Sequence, residues 1–61
     1  SENQIVMSYR KQLKDKISAF DQQEKVLESL RKYAKLTKMQ ELDIELKGYK
    51  EECGRLRKML D

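Results

Sequence analysis

From Met39 onward, apolar residues recur at alternating intervals of three and four: Met39, Leu42, Leu46, Tyr49, Cys53, Leu56 and Leu60. A heptad frame with a at Met39, Leu46, Cys53 and Leu60 and d at Leu42, Tyr49 and Leu56 has every core position apolar. Such a run predicts a coiled-coil seam. Carried backward, the frame puts Lys35, Lys32, Glu28, Lys25 and Asp21 into the core, so it fails there. The upstream half follows a second frame, with a at Val6, Leu13, Phe20, Leu27 and Ala34 and d at Tyr9, Lys16, Gln23, Leu30 and Thr37. Three of these positions are polar. Ile17 at e and Ile5, Ala19, Val26 and Tyr33 at g make the apolar stripe broader than a two-stranded seam requires.

Between Ala34 and Met39 the register jumps by five residues, which rotates the apolar stripe by about 140° on a straight helix. A single stutter or stammer does not make that jump. A distorted helix, a local break or a hairpin would each accommodate it. No glycine or proline lies between Lys35 and Lys38 to mark a turn, so turn chemistry argues against the hairpin. The expected fold is all-α: one long amphipathic helix, nearly continuous, forming a coiled coil. Its expected divisions are an N-terminal segment over 1–34, a basic register break over 35–38 and a heptad segment over 39–61.

Flanking charges address orientation. A parallel, in-register dimer of the C-terminal seam sets Lys38 against Asp43, Glu45 against Lys50 and Glu52 against Arg57, all opposite in sign. A parallel homodimer through Met39, Leu42, Leu46, Tyr49, Cys53, Leu56 and Leu60 is therefore expected. The broad N-terminal face (Val6, Tyr9, Leu13, Ile17, Phe20, Leu27, Leu30 and Ala34) is a second candidate interface, suited to a trimer, a tetramer or another protein's helical or globular surface. Lys16 and Gln23 at d read equally well as register-setting core polar groups or as signs of an imperfect frame.

Composition narrows the function classes. The chain has 61 residues, 41% of them charged, with one cysteine and neither histidine nor proline. Its mean hydropathy is −0.95. So short a chain keeps much of its surface wet and lacks disulfide or metal staples, which argues against an enzyme. No catalytic constellation, cofactor loop or histidine-based metal spacing can be written. No apolar run approaches the ~20 residues of a membrane span. The net charge of +3 is modest, and the basic group Arg31, Lys32, Lys35 and Lys38 is interleaved with Tyr33, Ala34 and Leu36. That pattern suits a solvated helix face better than a nucleic-acid-binding basic region. Cys53, at an a position, reads as a small packed hydrophobe ahead of an interchain redox staple. The three tyrosines read as packing residues. The missing initiator methionine and the end at Leu60-Asp61 suggest a piece of a longer cytosolic or nuclear protein.

The heptads Met39-Gln-Glu-Leu42-Asp-Ile-Glu-Leu46-Lys-Gly-Tyr49 resemble the rod segments of long coiled-coil scaffold proteins of the cytoskeleton, centrosome and vesicle tethers. The resemblance implies a structural oligomerisation module, cytoplasmic and associated with the cytoskeleton or centrosome, whose partner is a second copy of itself. The alternative is a binding module that docks a non-identical protein through residues 5–34. A basic-zipper role in nucleic-acid binding is a distant third.

Overall fold

Glutamate, lysine, leucine, glutamine and arginine dominate the chain, all good helix formers, and no proline interrupts them. The computed structural model, which describes residues 1–61, is accordingly all-helical: α1 spans Glu2–Arg31 and α2 spans Leu36–Leu60. Ser1 caps α1, its hydroxyl accepting from the Gln4 amide while the Gln4 side chain reaches back to the Ser1 amine. This reciprocal arrangement satisfies donors that a helix start leaves orphaned.

The two helices fold back on one another as an antiparallel hairpin, 52 Å in its long dimension. This corrects the expectation of one nearly continuous helix. The turn needs no glycine because no residue in the chain has a positive φ. α1 ends in tight bonds from the Tyr33 and Ala34 amides to the Leu30 and Arg31 carbonyls, 3.2 and 3.3 Å. Lys35 is then extended, at φ −70° and ψ 159°, and its carbonyl accepts the first bond of α2 from the Met39 amide at 2.9 Å. A register jump that would point the two apolar stripes in different directions on a straight rod instead lets them face each other once the chain reverses. The two helices then cover each other's apolar side chains, which a lone straight helix leaves in water.

On α2 the apolar frame read from sequence is the one that packs. Leu42, Leu46, Cys53 and Leu56 are buried, and Met39, Tyr49 and Leu60 are half-buried. They lie against α1 of the same chain, in two clusters. Leu13 and Ile17 meet Leu56, flanked by Phe20 and Leu60; Leu27 meets Leu42 and Leu46, flanked by Ala34 and Tyr49. Phe20 and Tyr49 pack with ring centroids 5.4 Å apart at 43°, within the range of favourable aromatic pairs.

On α1 the frame is corrected by one position. The a residues Leu13, Phe20 and Leu27 do face α2, but the companion row is Arg10, Ile17, Glu24 and Arg31, not Tyr9, Lys16, Gln23 and Leu30. Lys16 and Gln23 are exposed, so they are neither register-setting core groups nor defects in it. Two of the three polar residues in this inner row meet partners on α2: Arg10 donates to the Leu60 carbonyl at 2.6 Å, and Arg31 bonds Asp43 through two nitrogens, at 2.6 and 3.3 Å. The first of these contacts sets the end of α2 opposite Arg10, and residues 1–9 are all exposed.

Candidate association surface

Charged residues close one side of the hairpin. Arg31 pairs with Asp43 at the turn end, and Arg57 donates to Asp21 Oδ2 at 2.9 Å near the middle. The Arg31 guanidinium holds the Asp43 carboxyl below the usual carboxylate range, and Arg31 in turn is held above its own. For Asp43 this favours the folded state above the unfolded carboxylate pKa and is lost as pH falls through the folded one. Lys38 and Glu52 bond Glu41 and Arg55 on their own helix. Four of the six residues expected to pair across a parallel dimer, Lys38, Asp43, Glu52 and Arg57, thus have partners within the hairpin, while Glu45 and Lys50 form no ion pair. The apolar seam expected to hold that dimer is likewise turned inward.

The opposite side leaves several apolar side chains uncovered. Beside the Phe20–Tyr49 pair lies an open groove of about 340 Å³ lined by Phe20, Glu45, Gly48, Tyr49 and Glu52. At Gly48 no heavy atom lies within 4 Å of where a Cβ would sit. Positions 5, 9, 12, 16, 19, 23, 26 and 30 follow one another at helical spacing along the same edge of α1 as Phe20. Ile5, Tyr9, Ala19, Val26 and Leu30 are interspersed there with Gln12, Lys16 and Gln23, and Ile5, Val26 and Leu30 are 69%, 50% and 55% exposed. The stripe runs ~37 Å at 1.5 Å per residue. Isolated exposed hydrophobics are ordinary, whereas these adjoin the groove beside Phe20 and Tyr49.

Among the residues read from sequence as a second interface, the structure divides two sets. Leu13, Ile17, Phe20, Leu27 and Ala34 pack inside the hairpin, whereas Val6, Tyr9 and Leu30 remain exposed. The excess breadth of the N-terminal stripe is what supplies the outer face: one strip meets α2 and the adjoining strip stays free. Sequence reasoning set Glu45 and Glu52 in interchain charge pairs and did not join them with Gly48 as a groove lining, because only the apposition with Phe20 makes them parts of one groove.

Cys53 is 1% exposed at the helix interface, and its thiol donates to Asp21 Oδ1 at 3.7 Å. Burial pushes its pKa up, and the nearby Asp21 and Glu24 charges add to the effect. Since the thiolate is the nucleophile, Cys53 is expected to react with an alkylating reagent more than tenfold more slowly than a free thiol at pH 8, reaching the free rate in urea. Equal rates in buffer and urea would contradict that burial. The same enclosure keeps Cys53 from the partner thiol that an interchain disulfide requires.

No helix is long and apolar enough to cross a membrane. No family model, curated protein or solved structure matches the chain.

Proposed function

We propose that this chain is a structural oligomerisation module of a larger scaffold or tethering protein, in which hairpins associate face to face. The observation that carries the reading is the uncovered stripe from Ile5 to Leu30 beside the Phe20–Tyr49 groove. Only seven of the 61 residues are buried in one hairpin, and a core of that size leaves a short chain marginal. A second copy carries the same stripe, so a two-fold contact covers both at once and builds a four-helix bundle. Charge supports that occupant. Glu45 on the groove's α2 rim and Lys16 on the neighbouring α1 edge form no ion pair within the hairpin, so setting α1 of one copy against α2 of the other brings opposite signs together. Scaffold proteins of the cytoskeleton and centrosome are one setting for such a unit.

The test uses Val26→Glu combined with Leu30→Glu, both at exposed positions. Sedimentation equilibrium of the unaltered chain is expected to give at least twice its 7.3 kDa mass at micromolar concentration, and the double variant is expected to remain helical at the monomer mass. An unaltered chain that stays monomeric overturns self-association and transfers the surface to a non-identical helix. A double variant that still associates moves the contact elsewhere.

A further inference from the structure

On the charged side of the hairpin, two carboxylates and a thiol converge from two helices. Asp21 and Glu24, one turn apart on α1, and Cys53 on α2 each place a ligand-capable atom within 4.8 Å of the other two. Glu24 Oε1 is enclosed and accepts no hydrogen bond, the one buried side-chain polar atom of the chain without a partner. An enclosed carboxylate oxygen with no donor is costly to leave unmatched, and here it belongs to a group whose neighbours are a second carboxylate and a thiol. The residue arrangement lacks a positive group at its centre. Arg57 is held to one side, bonded to Asp21 Oδ2 at 2.9 Å, while Asp21 Oδ1 faces the Cys53 sulfur.

The geometry points to a divalent-metal site of mixed sulfur and oxygen donors, formed by Cys53 Sγ, Asp21 Oδ1 and a Glu24 carboxylate oxygen, that takes zinc or its softer analogue cadmium. A thiolate with two carboxylates suits a borderline or soft cation, whereas calcium and magnesium call for all-oxygen shells of six or more ligands. Tetrahedral zinc with bonds of 2.0–2.3 Å separates its ligands by ~3.3–3.8 Å. The sulfur and Asp21 Oδ1, 3.7 Å apart, already match. The remaining closure, of about an ångström, falls to side chains that are only half-buried and can rotate. On binding, Cys53 releases its S–H proton to solvent and the thiolate lone pair forms the bond to the metal. Arg57 keeps its hold on Asp21 Oδ2 and acts as the outer-shell group that orients the ligand. The fourth position is left for water. Because the site clamps α1 to α2 within one chain and lies on the side away from the Phe20–Tyr49 groove, it does not depend on the self-association reading.

The experiment titrates the reduced full chain with cadmium and with zinc. One equivalent of cadmium is expected to produce the ultraviolet charge-transfer band of a cadmium–thiolate bond, absent in Cys53→Ala and not elicited by calcium. In calorimetry, Glu24→Gln is expected to weaken zinc binding at least tenfold while far-ultraviolet circular dichroism stays unchanged, and zinc is expected to raise the melting temperature of the parent chain. No band at one equivalent, a band that persists in Cys53→Ala, or a loss smaller than tenfold in Glu24→Gln would each overturn the site. The last variant removes an unpartnered charge and not a packed side chain, so it separates loss of a ligand from loss of the fold.

Discussion

Leu42→Ala is expected to abolish most of the hairpin's helicity at 25 °C. Leu42 is 2% exposed and sits between Leu27 and Leu46, at the centre of the cluster nearest the turn. Truncating a buried leucine removes its transfer free energy and leaves a cavity that two helices held by a short turn only partly close. Such changes cost about 2–5 kcal/mol. A core in a chain this small rarely supplies more than ~3–5 kcal/mol, so one truncation is comparable to the whole margin. Ile44→Ala, two residues on but 73% exposed, is expected to change stability by less than ~0.5 kcal/mol. Thermal melts followed by circular dichroism at one fixed concentration distinguish the two. If Leu42→Ala melts alongside Ile44→Ala, Leu42 is not the packing centre and the helices do not meet as described.

Leu36→Pro carries the second large contrast, because its sign depends on the path of the chain. In a continuous helix an internal proline removes a hydrogen bond and clashes with the preceding turn, at a cost of ~3 kcal/mol or more. In the hairpin, Leu36 is the first residue of α2, where proline is favoured. Lys35 already holds the extended conformation that a residue before proline prefers. The Leu36 side chain is 70% exposed, and its amide makes no backbone hydrogen bond. Restricting the unfolded chain at a compatible site stabilises by about 0.4–1 kcal/mol. Leu36→Pro is therefore expected to leave the melting temperature unchanged or raise it. A steep fall in helicity would restore the continuous rod.

These two substitutions bear on different things that the sequence made legible. Leu42 belongs to the Met39–Leu60 frame, read correctly because seven consecutive core positions are apolar and no alternative frame fits them. The upstream frame was half legible. Leu13, Phe20 and Leu27 were assigned to the core, but the choice between the Lys16 row and the Ile17 row was not open to periodicity alone. Both rows contain polar residues, and they differ in whether those residues find partners across the interface. Arg10 and Arg31 find Leu60 and Asp43; Lys16 and Gln23 are exposed and form no side-chain hydrogen bond or ion pair, Lys16 lying only near enough to Glu52 to add to the lowering of its pKa by Arg55. The turn was illegible for a related reason: glycine and proline signals report turns that need positive φ or a fixed ring, and this one uses neither.

The order of residues by itself determined that the chain is helical, that each half carries an apolar stripe, and that the two stripes are out of phase near residues 34–39. These are local consequences of side-chain spacing at 3.6 residues per turn, and they hold whatever the helices pack against. Only the tertiary structure decided that each stripe's partner is the other, because an apolar surface carries no address: the same seven α2 side chains cover a second chain or the first half of their own. Contacts 32 residues apart, such as Cys53 with Asp21, exist once the chain has reversed and have no trace in any local pattern. The free face of α1 was likewise fixed by subtraction, as the part of a broad stripe that one neighbouring helix is too narrow to cover.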